Sequence, residues 1–376
     1  MKKILCFVLT LIMIFSLTAA SSYTVLALEN EDIELTENES SFAIHFIDVG
    51  QADAALVLCD DSAMLIDGGN AADSDLIYSY LKKLEVDHLD YIVCTHAHED
   101  HVGGLAGALN YASVDTALCP VTSYDSKAFK SFVKYLKKQK VGITVPEAGD
   151  TYSLGSSEFE ILGPVTDDVD GENNSSIVLR IVYKNTSFLF TGDAELKEEK
   201  DIIDEEYTLE STLLKVGHHG SETSTSYSFL NEVLPEYAVI SVGNNNSYGH
   251  PTEDVLSRLR DADVTVFRTD IQGDIICTSD GEYLSFSVER NADADTLESV
   301  KKDKSTKAKT DSGSGNSKSS KSSSGTSYVL NTNTKKFHYP SCSSVKQMKD
   351  KNRKDYTGSR QEIIGMGYDP CKKCNP

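Results

Sequence analysis

Three histidines and two carboxylates lie within six residues of the segment THAHEDHVGG, residues 95–104. The whole chain has only nine histidines, and this segment directly follows the apolar run YIVC, which is typical of a strand. His96 and His98 alternate just beyond that strand, so both side chains can point toward one centre. Asp100 and His101 follow where we expect a helix to begin. Imidazoles and a carboxylate that converge suit Zn²⁺ or a neighbouring first-row metal, although a solvated polar loop is the alternative.

The elements that must position these residues are mostly short strands. Apolar runs bounded by Gly, Asp and Asn predict strands between about residues 40 and 290. These runs are FAIHFIDV, ALVLC, AMLIDGG, DYIVCTH, FEILG, SIVLRIVY, SFLFTGD, TLLKVGHHG and YAVISVG. Helical spacing occurs in SDLIYSYLKKLEV and TEDVLSRLRDA, and we expect Ser74 and Thr252 to cap these helices. The pattern predicts an α/β (α+β) fold, with sheets covered by helices on their outer faces.

Charge divides the chain into an acidic body and a basic tail. Residues 1–300 hold 19 Lys and Arg against 52 Asp and Glu, while residues 327–376 hold 10 against 4. The acidic body argues against broad non-specific nucleic-acid binding, and the tail could attract phosphate. Simple solvation of both segments is the alternative.

Sequence patterns at the start of the chain and after residue 290 predict a signal peptide and a linker. Residues 1–27 have the Lys-Lys start, apolar core and small residues of a secretory signal peptide, with cleavage after Ala27 or, alternatively, Ala20. An uncleaved anchor is the other possibility. No later stretch is apolar enough to span a bilayer, so we expect a secreted or cell-wall-associated monomer with no integral membrane segment after cleavage. Domain boundaries are expected at 40–290 for the main domain, 291–326 for a disordered Ser/Lys/Gly linker and 327–376 for a small module.

Motifs distributed over residues 42–285 give the main domain a family resemblance. They are HFIDVGQADAALV, MLIDGG, THAHEDHVGG, NNSSIVLRI, FLFTGDAE, LLKVGHHGSETSTS, SVGNNNSYGHP and FRTDIQGDI. In this order they resemble the metallo-β-lactamase-fold hydrolases, and specifically the extracellular hydrolase-like domain of the ComEC DNA-uptake proteins. The resemblance implies a four-layer αββα sandwich with a two-metal site, zinc or manganese, along one edge of the paired sheets.

The resemblance also implies roles for individual residues. His96 and His98 would bind the first metal, Asp100 and His101 would belong to the second, and Asp193 of TGDA would bridge both. His219 of GHHGS and His250 of YGHP match later active-site histidines; which of these two and the adjacent His218, the weaker candidate, is a ligand stays open. The residues expected to take part in catalysis are Asp100, Asp193, His219 and His250.

Supporting residues follow from the same resemblance. Asp67 resembles the acid that orients the first motif, a role worth about 10–100-fold in affinity or activity. Asp48, Gln51 and Asp53 line a loop near the site, or are simply polar turn residues.

One departure from the wider fold concerns the first metal. No histidine lies between His101 and Asp193, where many members of the fold have a third histidine ligand. Asn173 or Asn174 takes that place. Because an amide oxygen is a poorer ligand than imidazole for zinc, we expect the first position to be weak or to favour Mn²⁺.

The chemistry expected of such a site is hydrolysis by a metal-bound water. The leading hypothesis is a secreted phosphodiesterase or nuclease that acts on DNA and is related to competence. Hydrolysis of an ester, lactone or β-lactam, with a small-molecule substrate, is the second hypothesis. A non-catalytic DNA- or wall-binding protein with a degraded metal site is the third.

The tail carries a separate ligand pattern, His338-x3-Cys342-x28-Cys371-x2-Cys374. Two close pairs at this separation favour a structural zinc site over one disulfide with a free thiol. The segment resembles the zinc-binding module of the DNA-repair methyltransferase Ada, but His338 stands where Ada has its methyl-accepting cysteine, so methyl transfer is not expected. Contact with DNA would involve the basic residues Lys335, Lys336, Lys351, Arg353, Lys354, Lys372 and Lys373. The remaining cysteines of the main domain are expected to be buried thiols, with a disulfide as the alternative: Cys59, Cys94, Cys119 and Cys277.

Overall fold

The computed structural model describes residues 26–27, 41–166, 171–298 and 326–371, apart from 341, 347, 359, 361–362 and 364–365. Most of the expected signal peptide, most of the expected linker, and Lys372, Lys373 and Cys374 lie outside the described residues. Within the part that is described, none of the helices combines the length and apolar character needed to cross a membrane.

The first sheet has nine strands and carries the histidine motif at the end of one of them. Strands β4 (Ser62–Ile66), β5 (His88–Val93) and β6 (Ser113–Leu118) are parallel, whereas β2 (Phe42–Phe46) and β3 (Ala55–Cys59) pair in antiparallel fashion. In sheet order the strands are β1 (Leu26–Ala27), β16 (Leu284–Val288), β15 (Ile275–Ser279), β2 (Phe42–Phe46), β3 (Ala55–Cys59), β4 (Ser62–Ile66), β5 (His88–Val93), β6 (Ser113–Leu118) and β7 (Ile143–Thr144).

The second sheet has seven strands, of which four are parallel neighbours, β11 to β14. In sheet order the strands are β14 (Thr265–Arg268), β13 (Tyr237–Ile240), β12 (Leu213–Lys215), β11 (Thr186–Phe190), β10 (Val178–Tyr183), β9 (Ser157–Gly163) and β8 (Thr151–Leu154).

The two sheets pack face to face, and each is covered by helices on its other side. Alternation along β2 shows how: Phe42, Ile44 and Phe46 enter the core between the sheets, where Phe42 stacks on Phe188 at 4.7 Å between ring centroids. The helices are α1 (Ser74–Lys83), α2 (Glu99–Val102), α3 (Leu105–Tyr111), α4 (Lys127–Gln139), α5 (Leu196–Asp204), α6 (Tyr227–Val233), α7 (Glu253–Asp261), α8 (Thr269–Gln272) and α9 (Ser343–Lys346). Apolar residues of α1, α3 and α4 cover the first sheet, and those of α5, α6 and α7 cover the second. The four-layer αββα sandwich is therefore confirmed.

Both helices expected from the sequence are present, but their capping differs from expectation. Ser74 is the first residue of α1 rather than its cap, and its hydroxyl donates to the carbonyl of Ala71. Thr252 does occupy the cap position of α7, yet its hydroxyl donates to the carbonyl of Gly220. This bond joins the start of α7 to the turn that carries the GHHGS motif.

The C-terminal residues form a small third sheet. Its strands, in sheet order, are β19 (Arg353–Gly358), β17 (Thr326–Asn331), β18 (Lys336–His338) and β20 (Asp369–Pro370). Tyr339 and Tyr328 reach the main domain, where the Tyr339 hydroxyl lies 3.3 Å from that of Tyr227 on α6 and the Tyr328 hydroxyl lies 3.4 Å from Asp261 on α7. The buried Arg268 guanidinium donates to the carbonyls of Thr296 and Glu298, so residues just after 290 contact the second sheet.

Candidate metal centre

The ligand-type residues come from the carboxyl ends of parallel strands in both sheets. The histidine motif follows β5, Asp193 follows β11, and the adjacent His218 and His219 follow β12. His250 lies in the long connection between β13 and α7. Carboxyl ends of parallel strands meet at one edge of a sheet, which is where ligands bind in such folds.

Asp193 lies at the centre of this group, and its two carboxylate oxygens face different histidines. Its Oδ1 is 3.3 Å from Nε2 of His101 and 3.9 Å from Nε2 of His219. Its Oδ2 is 3.9 Å from Nε2 of His96 and 3.6 Å from Nε2 of His218. Asp193 is buried, and its backbone N–H donates to Ser176 Oγ, which fixes the start of its turn.

A second carboxylate, Asp67, orients His101. Its Oδ2 is 2.8 Å from His101 Nδ1, and it also accepts hydrogen bonds from the backbone and hydroxyl of Thr95. Because a carboxylate accepts, the Nδ1 of His101 carries a proton toward Asp67, and Nε2, which faces Asp193, is the nitrogen at which a proton and a cation would compete. This is the supporting contact expected for Asp67.

His219 is oriented in the same way by different groups. Its Nδ1 lies 3.1 Å from the carbonyl oxygen of Ser241, which can only accept, and 3.1 Å from Oδ1 of Asp53. Asp53 is paired on its other oxygen with Nζ of Lys215 at 2.7 Å, and both side chains are almost completely buried. The Nε2 of His219 therefore faces Asp100, at 3.4 Å from Oδ2, and Asp193.

His96 and His98 lie on the other side of Asp193. Nε2 of His96 is 3.0 Å from Nδ1 of His98, so the two atoms converge. Nε2 of His98 lies 2.6 Å from Glu172 Oε2, and Glu172 also accepts a hydrogen bond from Tyr124. The two histidines thus present Nε2 and Nδ1, respectively, to the same region.

Asn173 and Asn174 have different surroundings: Asn173 lines the cavity, whereas the side chain of Asn174 bonds to the backbone. Asn174 Oδ1 accepts the backbone N–H of Glu195, so it is occupied at the start of α5. Asn173 lines the cavity, and its buried Oδ1 makes no hydrogen bond with the described residues. Of the two asparagines, Asn173 is therefore the one whose side-chain oxygen is left without a described hydrogen bond at the cavity. Asp48 is not among the residues that line the cavity, and it pairs with Arg290 at 2.9 Å.

These residues border an open cavity of about 580 Å³. None of its lining residues is Lys or Arg within the described part of the chain. They are Gln51, Asn70, His98, Glu99, Asp100, Asn173, Asp193, His218, His219, Tyr248 and His250. A second cavity of similar volume, bordered by Asp60, Asp61 and His88, contains none of the clusters of metal-ligand residues found in the described residues.

One rim of the cavity is a loop that is held by hydrogen bonds and carries the stacked rings of Tyr248 and His250. The side-chain amide of Asn246 donates to the carbonyls of Gly243 and His250 and accepts the backbone N–H groups of Gly249 and His250. Tyr248 is 71% exposed and stacks on the His250 ring at 5.6 Å. Burial and the nearby His218 lower the pKa of His250 to about 4, so this ring is neutral at pH 7.

The buried carboxylates of the centre favour positive charge on the imidazoles beside them. Burial would raise the pKa of Asp193, yet the His101 and His219 imidazoles hold it well below its usual range. Burial would also lower the pKa of His219, but the carboxylates of Asp193 and Asp53 raise it to about 10. The pKa of His101 is raised well above its usual value by Asp193 and Asp67 against the effect of burial. Protons and divalent cations therefore compete for the same imidazole nitrogens.

The residues fit a pair of divalent cations. Three buried atoms make no hydrogen bond with the described residues: Asp193 Oδ1, His101 Nε2 and His219 Nε2. Leaving such atoms unsatisfied costs about 1–3 kcal/mol each, and imidazole and carboxylate lone pairs are suitable ligands for first-row metals. Ligand atoms of His96, His101 and Asp193 all lie within 4.8 Å of one another, as do those of Asp100, His101 and His219.

The C-terminal sheet carries a separate cluster. His338, Cys342 and Cys371 offer ligand atoms within 4.8 Å of one another, and all three residues are buried. His338 Nδ1 makes no hydrogen bond with the described residues. The expected fourth ligand, Cys374, lies outside the described residues. In the main domain the expectation of buried free thiols is confirmed for Cys59, Cys94, Cys119 and Cys277.

Comparison with known proteins agrees with this geometry. Residues 47–244 match the family model of the metallo-beta-lactamase superfamily. The chain belongs to this superfamily. It is similar to ComE operon protein 3 of Bacillus subtilis (29% identity, covering 65% of this chain and 34% of that protein) and to competence protein ComA of Neisseria gonorrhoeae (32% identity, covering 63% and 32%). The chain thus spans about a third of the length of these relatives.

Solved structures with the same fold are more distant. The metallo-beta-lactamase fold protein YhfI from Bacillus subtilis is 12% identical with a TM-score of 0.44, and the match covers 63% of this chain and all of YhfI.

Sequence reasoning missed several residues of the site. Lys215 had a visible signal, because it is the one charged residue in the apolar run TLLKVG. Glu172 and Glu195 adjoin the motifs NNSS and TGDA, but nothing in their local sequence shows that they contact His98 and His218.

Proposed function

We propose that the main domain is a dinuclear metal-dependent hydrolase, and that its substrate is a phosphodiester of DNA. The observation that carries the proposal is the position of Asp193, whose two oxygens each face a different pair of imidazoles. A carboxylate placed in this way can bridge two cations. In this proposal His96 and His98 hold the first cation.

The second cation would be held by Asp100, His101 and His219, with Asp193 shared between the two. Two divalent cations bound here would supply a deprotonated water and positive charge for a developing oxyanion. The protein's own contribution is orientation. Asp67 and the Ser241 carbonyl hold the Nδ1 protons of His101 and His219, so both rings present Nε2 without rearrangement.

The rim of the cavity suggests how substrate would be held. The exposed ring of Tyr248 offers a flat surface on which a nucleobase can stack, a contact worth about 1–3 kcal/mol in single-stranded nucleic acid. His250 lies beneath it, and its buried Nδ1 makes no hydrogen bond with the described residues. As a neutral ring it can hydrogen-bond a substrate oxygen. The name of one relative, competence protein ComA, supports a role related to competence.

A second candidate is hydrolysis of an ester, lactone or β-lactam. It is favoured by the lack of Lys and Arg among the described lining residues, because a site for a polyanion usually supplies such groups. On this view the acidic body repels DNA, and a neutral small molecule enters the cavity.

The experiment is a substrate comparison on purified protein loaded with Mn²⁺ or Zn²⁺. We expect cleavage of single-stranded DNA and of bis(p-nitrophenyl) phosphate, and loss of both activities in Asp193→Ala. Asp61→Ala is the matched control, because Asp61 is an exposed carboxylate that does not line this cavity. Hydrolysis of acyl substrates alone would support the second candidate, and failure to retain metal would contradict both.

For the C-terminal sheet we propose a structural zinc ion held by His338, Cys342, Cys371 and Cys374, in a secreted protein with the domain boundaries given above. Zinc bound by thiolates and one imidazole supplies folding free energy to a module with a small core. Cys342→Ser in the full chain should lower the zinc content by one ion and weaken the C-terminal sheet, with Mn²⁺ binding in the main domain unchanged. An unchanged zinc content would contradict the assignment.

A further inference from the structure

The first cation position has an incomplete set of ligands. His96 and His98 supply two imidazoles, and no histidine lies between His101 and Asp193 to supply a third. The cavity, however, contains one more imidazole that points at the shared carboxylate. Nε2 of His218 is 3.6 Å from Oδ2 of Asp193, which is the oxygen that also faces His96.

We propose that His218 is the third imidazole ligand of the first cation position. This inference rests on the proposed two-cation function of the site. Asp193 then divides four imidazoles evenly between its oxygens, with His101 and His219 on Oδ1 and His96 and His218 on Oδ2.

The hydrogen bonds of His218 place its proton on the nitrogen away from Asp193. Its Nδ1 lies 3.3 Å from Thr223 Oγ1, and the Thr223 hydroxyl donates its only proton to Glu195 at 2.9 Å. The Thr223 oxygen must therefore accept from Nδ1–H of His218. Nδ1 is also 3.5 Å from the Glu195 carboxylate. The lone pair of Nε2 is consequently left on the side of the cation position, as in carboxylate–histidine–metal arrangements.

The backbone of the GHHGS turn accounts for how two adjacent residues serve one site. His218 and His219 have φ angles of 49° and 53° and ψ angles of 44° and 23°, so both are left-handed. For a side chain other than Gly this costs on the order of 1–2 kcal/mol per residue. Such strain is retained where the surrounding structure determines it, commonly at functional sites. Here it brings both rings to Asp193, whereas an extended strand would send neighbouring side chains to opposite faces.

Asn173 is the competing ligand. Asn173 lines the same cavity, and its buried Oδ1 atom makes no hydrogen bond with the described residues, although its Nδ2 donates to Glu195. An amide oxygen is a weaker ligand for a first-row metal than imidazole. The two candidates make opposite predictions for substitution.

The test measures how many Mn²⁺ ions the full chain binds after chelation, by equilibrium dialysis with elemental analysis. Mn²⁺ is used because the thiolates of the C-terminal cluster favour softer metals. We expect two ions in the unchanged protein and a spin-coupled pair by electron paramagnetic resonance. His218→Ala should bind one ion and give the spectrum of isolated Mn²⁺. His250→Ala and Asn173→Ala, the matched controls from the same cavity, should each bind two.

A finer test changes only the partner of His218. Thr223→Val removes the nearer acceptor of Nδ1 and leaves the Glu195 carboxylate at 3.5 Å, so it should weaken the first ion about tenfold while leaving the second unchanged. Two ions in His218→Ala and one in Asn173→Ala would overturn the assignment and name Asn173 as the ligand. If the unchanged chain binds no Mn²⁺ or Zn²⁺ in the main domain, the proposed function fails as a whole, which is a different result.

Discussion

Substitutions in the buried ion pair of Lys215 and Asp53 should change the free energy of unfolding and the metal affinity to different extents. Lys215 Nζ lies 2.7 Å from Asp53 Oδ2, and the two side chains are 4% and 7% exposed. Asp53 also lies 3.1 Å from His219 Nδ1. The pKa of the Asp53 carboxyl is held below its usual range by Lys215 and His219, although burial would raise it. The pair therefore neutralises a buried ammonium group and also holds a ring that we propose as a ligand.

Asp53→Asn keeps the shape of the side chain and removes its charge. The Lys215 ammonium is then left buried with only the Val216 carbonyl as a described hydrogen-bond acceptor besides the new amide. Removing one partner of a buried ion pair costs about 3–5 kcal/mol, whereas replacing both by apolar groups is often neutral. We expect the metal-free variant to lose about 3–5 kcal/mol of unfolding free energy, and Asp53→Asn with Lys215→Met to regain most of it.

Metal binding should not recover in the double variant. The Nδ1 of His219 keeps the Ser241 carbonyl but loses the carboxylate, so affinity at the second position should fall about 10–100-fold in both variants. Urea unfolding of the metal-free proteins measures the first quantity, and Mn²⁺ titration measures the second. The reasoning is refuted if Asp53→Asn unfolds within about 0.5 kcal/mol of the unchanged chain, or if the double variant is no more stable than the single one.

Three further predictions concern the rim, the proton balance and the packing of the site. Tyr248→Ala should raise KM for single-stranded DNA about tenfold and leave small phosphodiesters unaffected, while Tyr283→Ala, equally exposed but outside this cavity, should change neither. The pKa of His219 is raised to about 10, so the stability that its protonated ring adds to the metal-free protein is present below about pH 6.5 and is lost as pH rises through 10. Because Mn²⁺ must displace this proton, Mn²⁺ affinity should increase with pH over the same window. A pH-independent affinity would contradict this competition between the proton and the metal. A Cβ at Gly104 would lie 1.9 Å from the Gly68 carbonyl oxygen, so Gly104→Ala should cost about 1–3 kcal/mol in urea unfolding, and an unchanged midpoint would show that the turn can move.

The part of the site that sequence could predict is the part whose spacing is local. His96, His98 and His101 fall within six residues, so a strand end followed by a short helix was enough to bring them together. Asp193 is predicted through the resemblance of TGDA, which ends a strand run, to the corresponding motif of the family. The strands of the two sheets were largely visible for the same reason, since their apolar runs are short and bounded by turn residues.

What could not be predicted depends on contacts distant in sequence or on backbone angles. Lys215 and Asp53 are 162 residues apart and meet only because the two sheets pack together. The role of His218 depends on a left-handed turn that the letters GHHG do not specify. The helix α4 was missed although its sequence contains a helix signal. Ser126 caps the helix, and Phe129, Phe132 and Leu136 have helical spacing.

The turn at His218 and His219 also constrains how this protein can diverge. The adjacent residues His218 and His219 face different oxygens of the Asp193 carboxylate, so an insertion or deletion between Gly217 and Gly220 would displace both rings together. If the proposed site is correct, a point substitution would remove one cation position alone, whereas a change in the length of that loop would remove both.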